Sequence, residues 1–213
     1  MNVSSYNVHI MNNREREESL TLEILETIEG QSAVTQRHLA DRLGVALGLT
    51  NSYLKRCVHK GLVKIQQVPA NRYLYYLTPK GFAEKSRLTA AYLSSSFDFY
   101  RQAGESLDLI YKQCAAQGWN HILFCGVSEL AEIAFIRASE HDISIVGTWD
   151  PDINRKQFLH LPVWKSIEMA EKHDASLITA LENPARFYEL LGNTIDREKI
   201  LIPSILGINH KKQ

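Results

Sequence analysis

The first third of the chain has apolar residues at helical spacing, separated by capping and turn residues. Leucines and isoleucines line one face of residues 19–30, SLTLEILETIEG. Residues 35–45, TQRHLADRLGV, begin with the N-cap residue Thr35 and end near the turn residue Gly44. A third periodic stretch covers residues 47–63, LGLTNSYLKRCVHKGLV. This pattern predicts three consecutive helices, the last two joined as a helix–turn–helix.

Two runs rich in β-branched and aromatic residues follow the third helix. Leu62–Val68 and Tyr73–Leu77 flank a Pro-Ala-Asn-Arg turn at residues 69–72. The two runs predict a β-hairpin with an arginine at its tip. Helix, helix–turn–helix and hairpin together are the layout of a winged helix, in which the third helix enters the major groove of DNA.

The charge distribution favours a nucleic-acid interface in the same region. The chain has 24 basic and 24 acidic residues and therefore no net charge. Residues 31–80, however, contain eight Lys or Arg and one acid, Asp41, which gives this segment a charge of +7. A basic block in a neutral protein indicates a surface that binds phosphates. A winged helix that contacts only proteins is the alternative.

The third predicted helix has one apolar stripe, formed by Thr50, Leu54, Cys57 and Val58. Burial of this stripe leaves the opposite face for base edges and phosphates. The start of the second helix would hold the DNA backbone, and the tip of the hairpin would reach the minor groove or flanking phosphates. The predicted DNA contacts are Gln36, Arg37, Leu49, Asn51, Ser52, Lys55, Arg56 and Arg72.

Residues 17–101 resemble the MarR-type winged-helix regulators, in particular the small ones associated with exopolysaccharide gene clusters. The resemblance rests on QRHLADRLGVALGLTNSYLKRCVHKGLVK and YLYYLTPKGFAEKSRLTAAYL. Its most specific parts are LTPKG after the hairpin and the EKSRLT that follows. The resemblance implies a regulator that binds double-stranded DNA as a homodimer.

A long helical segment links this module to the rest of the chain. Thr78 and Pro79 suit the N-cap and first-turn positions, and the helical pattern continues to Gly118 as one helix or two. Apolar residues at alternating spacings of three and four favour pairing with a helix of a second subunit. Packing on its own domain is the alternative. We expect a winged-helix domain at 17–78 and a connecting, dimerising helix at 79–118.

From residue 119 onward, short apolar runs alternate with helical segments. The predicted strands are HILFCG (121–126), ISIVGTWD (143–150), ASLITAL (175–181) and KILIPSIL (199–206), and the predicted helices lie in 128–140, 161–174 and 184–191. Such alternation is typical of a parallel sheet that binds ligands at the carboxyl ends of its strands. The predicted fold class is α/β with two domains, an N-terminal winged helix-turn-helix and a C-terminal Rossmann-like parallel sheet at 119–206.

The turn after the first of these strands carries a partial dinucleotide-binding fingerprint. Gly126, Ser128 and Ala131 occupy the small-residue positions of G-x-G-x-x-G/A. Asp150 follows Gly126 by 24 residues, near the offset of the acid that binds ribose, and Asp152 is a second candidate. The alternative is that Gly126 only turns the chain and Asp150 caps the next segment. The predicted ligand contacts are Gly126, Val127, Ser128, Glu129, Trp149, Asp150 and Asn183.

The order of the two modules resembles that of the redox-sensing Rex repressors. The segments ILFCGVSELAEIAF, ISIVGTWDPD, LPVWKSIEMA and ITALENP carry this resemblance, and they also resemble the nucleotide-sugar-binding domain of some sugar acyltransferases. Both resemblances imply a small-molecule effector of the nucleotide type, a nucleotide-sugar or NAD(H), in a pocket lined by Gly126, Ser128 and Asp150. Ser128 departs from the glycine of the fingerprint and narrows the loop.

Candidate catalytic groups are few. The motifs GxSxG, HExxH, CxxC and the P-loop do not occur, and His160 is the histidine best placed in sequence for a ligand role. We predict no catalytic residue and no bound metal. No apolar run approaches the ~20 residues of a membrane helix, and the N-terminus has no apolar signal-peptide core. We therefore expect a cytoplasmic protein that does not engage a membrane.

The sequence leaves three functions open. The first is a dimeric transcription regulator that responds to a nucleotide-type ligand and controls polysaccharide biosynthesis genes. The second is an enzyme that acts on a nucleotide-sugar or dinucleotide and carries an appended DNA-binding module. The third is a DNA-binding protein whose α/β half docks a protein partner. We favour the first, because the α/β half follows a basic winged helix and a connector with the pattern of a dimerising helix.

Overall fold

The computed structural model describes residues 13–31, 33–69 and 72–208, without the side chains of residues 13–15 and of Arg72. The chain divides into two compact units, one ending at Ser96 and the other beginning at Phe97. The division falls inside a long helix that contributes to both units. The N-terminal unit is mainly helical, and the C-terminal unit is built on a sheet.

The N-terminal unit has the three helices and the hairpin that the sequence predicts. Its elements are α1 (Asn13–Gly30), α2 (Gln36–Leu43), α3 (Leu47–His59), β1 (Val63–Val68), β2 (Arg72–Leu77) and the beginning of α4 (Pro79–Gln117). Thr35 caps α2 by accepting a 3.1 Å hydrogen bond from the His38 amide. Gly44 ends α2 in the left-handed conformation, with φ 62°. Helix α3 ends at His59, just before Gly61, which turns the chain with φ 72°.

The core of this unit lies where the helices meet the hairpin. Ile24 of α1 and Leu39 of α2 have no exposed surface, and Leu54 of α3 is 3% exposed. Val63 and Tyr75 of the antiparallel hairpin are each 2% exposed and complete the same cluster. One face of α3 is therefore fixed by packing, and its opposite face is left to solvent.

Helix α4 is continuous over 39 residues, about 58 Å at 1.5 Å per residue. The sequence allows one helix or two here, and the structure has one. Several large apolar side chains of α4 are exposed, among them Leu93, Phe97 and Leu109. Among the described residues, no helix is long and apolar enough to cross a membrane. The apolar surface of α4 therefore faces water in the single chain.

The described part of the C-terminal unit forms a six-stranded sheet with helices beside it. It contains the end of α4, β3 (His121–Cys125), α5 (Glu129–Ala138), β4 (Ser144–Trp149), β5 (Gln157–Phe158), β6 (Leu161–Trp164), β7 (Ala175–Ile178), α6 (Pro184–Gly192) and β8 (Ile200–Leu201). The strand order is β5-β6-β4-β3-β7-β8, and all neighbours are parallel except β5 and β6. From β3 the chain first adds strands on one side and then on the other, so its direction switches beside β3.

The segment 161–174 differs from its prediction. The sequence predicts a helix there, but Leu161–Trp164 forms a strand, and the helical part is a single 3₁₀ turn at Ile167–Met169. Strand β6 pairs in parallel with the end of β4, with Val163 opposite Thr148. This pairing bonds the backbone of the segment to a distant strand and overrides its local helical pattern.

Alternate residues of β3 supply cores on opposite faces of the sheet. Ile122 and Phe124 pack with apolar residues of α4 and α5, whereas Leu123 and Cys125 pack on the side of Phe187 in α6. The four strand residues have no exposed surface. A strand buried on both faces is typical of the centre of a parallel sheet. The carboxyl end of β3 is therefore held rigidly where the sequence predicts a ligand site.

Candidate functional sites

Helix α3 is anchored on one side and exposed on the other. Thr50, Leu54 and Cys57 are buried, as predicted, while Ser52 and Lys55 are exposed on the opposite side. Burial raises the pKa of the Cys57 thiol to about 11, so this residue stays a neutral part of the core. The anchored stripe leaves the polar side chains of α3 available to DNA.

The basic residues predicted to contact DNA differ in whether they form an ion pair within the protein. Arg37 at the start of α2 and Lys55 of α3 are exposed and form no ion pair within the described residues. Arg56, in contrast, lies 2.9 Å from the carboxylate of Glu17 in α1, and its guanidinium packs over the Tyr53 ring at 5.3 Å. Arg56 thus ties α3 to α1, and Arg37 and Lys55 are the better candidates for phosphate contacts.

The other predicted contacts are also unequal. The Gln36 amide donates a long hydrogen bond of 3.4 Å to the Tyr75 hydroxyl. Asn51 is half-buried, and its Oδ1 atom has no hydrogen-bond partner within the described residues. Leu49 is well exposed. Arg72 begins β2, but its side chain, with residues 70 and 71 of the predicted turn, lies outside the described residues.

The structure adds exposed residues that the sequence analysis did not single out. Lys64 and Tyr76 are exposed cross-strand neighbours on the hairpin, and strand alternation could have found them. Leu47 is exposed at the first position of α3, although it lies seven residues before the buried Leu54 and so shares its side of the helix. Helical periodicity predicts burial for Leu47, and no local signal shows that its neighbours leave it uncovered.

The turn after β3 is filled by the chain itself. Gly126 has φ 107°, a conformation that strains other residues. A Cβ at this position would lie 2.5 Å from the Cβ of Ala180, and the Gly126 carbonyl accepts a 2.6 Å hydrogen bond from Thr179 Oγ1. In the dinucleotide-binding fingerprint, glycines let a pyrophosphate come close to the backbone. At Gly126, the segment after β7 makes this close contact instead.

Asp150 ties two loops together at the carboxyl end of the sheet. It is 4% exposed, and its Oδ2 atom accepts a 2.9 Å hydrogen bond from the Val127 amide. Its Oδ1 atom accepts from the amides of Asp152 and Ile153 at 3.0 and 3.3 Å. Three backbone donors satisfy this buried carboxylate. The acid predicted to bind ribose hydroxyls thus holds the turn after β3 against the loop after β4.

Ser128 is the N-cap of α5. Its Oγ atom accepts a 3.3 Å hydrogen bond from the Ala131 amide and donates to the Thr179 carbonyl. The side chain is buried, and the hydroxyl is engaged on both sides. Ser128 therefore has no spare donor to offer a phosphate.

The remaining predicted ligand residues lie at different depths. Trp149 is 5% exposed, and its ring centroid is 5.5 Å from that of Phe187, so it belongs to the core. Glu129 is half-buried, and its Oε2 atom has no hydrogen-bond partner among the residues described. Asn183 is exposed at the start of α6, with φ 48° and no capping bond from its side chain. Within the described residues, the Glu129 Oε2 atom and the Asn183 side chain are left without a hydrogen bond.

An ion pair joins the loop after β4 to α6 at the same end of the sheet. Arg186 donates to both carboxylate oxygens of Asp152, with Nη2 3.2 Å from Oδ1. The hydrogen bond from Arg186 holds the pKa of Asp152 below its ordinary value. Asp152 is predicted from the sequence but Arg186 is not, because no local pattern connects side chains so far apart in the chain.

His160 lies away from this end of the sheet. It occupies the turn between β5 and β6 with φ 64°, and the pairing of Val163 with Thr148 places it toward the amino end of β4. Histidine, cysteine and acidic residues form no group of three suited to a metal ion in the part of the chain that the structure describes. His160 is therefore not part of the strand-end site.

Residues 18–64 match a family profile described as "Winged helix-turn-helix DNA-binding". The N-terminal unit is a winged helix-turn-helix DNA-binding domain. The matched residues include α2 and α3 and reach the beginning of β1, so they contain the capped turn and the exposed helix face described above. No curated protein sequence matches this chain significantly.

Solved structures of regulators and of a methyltransferase show weak similarity to this chain. MepR, a transcription regulator of the Staphylococcus aureus multidrug efflux pump MepA, is 21% identical with a TM-score of 0.35, over 43% of this chain and 65% of that one. The chain thus spans just under two thirds of MepR. ZitR of Lactococcus lactis, a zinc-responsive MarR family member, is 17% identical with a TM-score of 0.33, over 55% and 82%. Human N-acetylserotonin methyltransferase in complex with SAM is 12% identical with a TM-score of 0.32, over 89% and 74%. Likenesses this weak support no assignment of function.

Proposed function

We propose that this protein is a transcription regulator of the MarR type that binds duplex DNA. The observation that carries the proposal is the winged helix-turn-helix match at residues 18–64, which overlaps the segment 31–80 with its charge of +7. In this proposal α3 lies in the major groove, with Ser52 and Lys55 toward base edges and phosphates. Arg37 contacts a flanking phosphate. The resemblance to exopolysaccharide-associated regulators makes polysaccharide biosynthesis genes the first targets to test.

Binding to duplex DNA tests this proposal. Fluorescence anisotropy with labelled random-sequence duplexes should show an affinity that falls steeply as salt is raised. The logarithm of the binding constant should fall linearly with the logarithm of the salt concentration, with a slope of about −0.9 for each phosphate contact. Absence of binding at low salt would overturn the regulator proposal.

We further propose that α4 forms the centre of a homodimer. Leu93, Phe97 and Tyr100 recur at helical spacing, and their side chains are 47%, 62% and 42% exposed. Exposed apolar patches on a soluble protein mark interaction surfaces. A second copy of α4 covers this stripe and supplies the two-fold symmetry with which paired DNA half-sites are read.

For the α/β unit we propose the sensing of a nucleotide-type effector, a nucleotide-sugar or NAD(H). The support is the strand order, because open parallel sheets bind ligands at the carboxyl ends of strands where the chain direction switches. Asp150 is committed to three backbone amides, so this proposal gives the sugar hydroxyls of the effector to Glu129 or Asp152. The effector changes DNA affinity by favouring one dimer geometry through α4.

Tryptophan fluorescence gives a selective test of the effector proposal. Trp119, Trp149 and Trp164 all lie in the C-terminal unit, so their signal reports its unfolding. An effector present at 100 times its Kd should stabilise this unit by about 2.7 kcal/mol. UDP-glucose and NAD⁺ are the first compounds to try, and a panel of nucleotides without any effect would overturn the effector proposal alone.

The DNA-binding domain on the same chain favours sensing over catalysis. Chromatography of the nucleotide after incubation with the protein separates these two functions. A sensor returns the nucleotide unchanged, whereas steady conversion to a product would assign the α/β unit to an enzyme acting on a nucleotide-sugar or dinucleotide.

A further inference from the structure

The first turn of α3 is apolar, and both of its leucines are exposed, although Leu47 lies toward the side of the buried Leu54. Leu47 is 44% exposed and Leu49 is 41% exposed, and they are the first and third residues after the N-cap residue Ala46. Neither leucine belongs to the packed core of the N-terminal unit. Apolar surface gains free energy when it leaves water, and the fold does not provide that gain here. The two leucines are therefore available to a partner.

Gly48 lies between these leucines, and the fold does not require a glycine at this position. It is helical, and a Cβ at this position would meet nothing within 4 Å. Because glycine is among the weakest helix formers, alanine would suit the fold better. Glycine is favoured where a backbone approaches a ligand closely. The missing side chain leaves the start of α3 flat between two exposed apolar groups.

We propose that Leu47, Gly48 and Leu49 seat the start of α3 against thymine methyl groups in the major groove. This inference rests on the proposed DNA binding, with α3 as the groove helix. Residues at the N-terminus of such a helix reach base edges, and the C5 methyl of thymine is the apolar group displayed there. The leucines cover the methyl groups, and Gly48 lets the backbone approach. The DNA sites of this protein therefore contain thymine beneath this turn.

Replacement of thymine by uracil isolates the methyl group, because the two bases pair identically with adenine. Duplexes selected for binding from a random-sequence pool are resynthesised with each thymine replaced in turn by deoxyuridine. Beneath the turn, each replacement should lower the affinity about fourfold, the loss expected for exposing one methyl-sized group. Replacements elsewhere in the same duplex provide the internal control and should leave the affinity unchanged.

The variants Leu47→Ala and Leu49→Ala identify the residue that makes each contact. A variant that lacks the covering leucine should bind the thymine duplex more weakly, and uracil at that position should weaken it no further. Ser52→Ala is the matched control on the same helix and should keep the full sensitivity to uracil. If both leucine variants keep the uracil effect of the unaltered protein, the assignment to these leucines is overturned.

Gly48→Ala separates the needs of the fold from those of DNA binding. Alanine should maintain or raise the melting temperature, because it is the better helix former, while it lowers the affinity for the thymine duplex. Insensitivity of the unaltered protein to uracil at every position would overturn this inference and leave the regulator proposal standing. Failure to bind any duplex would instead remove the regulator proposal on which the inference rests.

Discussion

Gly126 combines a backbone constraint with a steric one, and Gly118 has the first without the second. Their φ values are 107° and 70°, but a Cβ at Gly118 would meet nothing within 4 Å, whereas one at Gly126 would lie 2.5 Å from Ala180. We expect Gly118→Ala to cost about 1–2 kcal/mol of unfolding free energy. Gly126→Ala should cost about 1–3 kcal/mol more, because the segment after β7 must also shift. Urea unfolding followed by tryptophan fluorescence measures both, and equal losses would contradict the steric contribution.

Asp150→Asn tests whether this carboxylate organises the strand-end loops. Asparagine keeps the shape but turns one acceptor into a donor, which then faces the amide of Val127 or those of Asp152 and Ile153. A loss of about 1–3 kcal/mol is expected. Asp152→Asn is the control, since its ion pair with Arg186 is exposed and should contribute much less to stability. A larger loss for Asp152→Asn than for Asp150→Asn would contradict the proposal that Asp150 organises the strand-end loops.

Residue roles are predictable from sequence where the partner is close in the chain. Ser128 as a helix cap and Gly126 as a turn follow from neighbours within a few positions. The role of Asp150 does not, because its partner Val127 lies 23 residues earlier and comes near only when β3 and β4 pair. The exposure of Leu47 escapes prediction for a similar reason, since it depends on which elements fail to cover the start of α3.

Among the elements, α2, α3 and the hairpin follow from local caps, turns and periodicity. Strand β6 does not, because its identity depends on pairing with β4. The last strand is also shorter than predicted and comprises Ile200–Leu201. Pro203 follows it without a backbone donor, and the chain continues into a 3₁₀ turn at Ser204–Leu206. Local patterns thus predict the DNA-binding domain better than they predict the edges of the sheet.

Lys55 and Lys112 allow α3 to be tested as the DNA-contacting element. Both are exposed, Lys55 on α3 and Lys112 on the part of α4 in the C-terminal unit, so each alanine variant removes one surface charge. Lys55→Ala should weaken DNA binding across sequences and reduce the magnitude of the salt slope by about 1, whereas Lys112→Ala should change neither. Anisotropy titrations at several salt concentrations give both slopes. Equal effects of the two substitutions would show that DNA affinity depends on the overall charge of the protein and not on α3.

The two units can be followed by separate measurements. The basic residues of segment 31–80 lie in the N-terminal unit, and all three tryptophans lie in the C-terminal unit. DNA affinity and tryptophan fluorescence therefore report on different units of the same chain. If an effector changes DNA affinity by some factor, DNA must change effector affinity by the same factor. A measured reciprocity of this kind would distinguish a sensor from two modules that share a chain without communicating.

The apolar stripe of α4 is the surface through which we propose that two chains pair before they bind DNA. Phe97 belongs to this stripe, and Leu109 is equally exposed on another side of the same helix, at 62% and 69%. Phe97→Glu should dissociate the dimer in sedimentation experiments, while Leu109→Glu should leave it intact. Loss of the dimer should lower the affinity for a duplex with two half-sites by about 10²-fold or more. The reason is that the DNA-binding domain of the second subunit no longer binds at high effective concentration. Leu109→Glu should unfold as the unaltered chain does, since exposed substitutions change stability by about 0.5 kcal/mol or less. Phe97→Glu should stay folded but lose the stability that dimerisation contributes. A Phe97→Glu protein that stays dimeric would place the subunit contact elsewhere on the molecule.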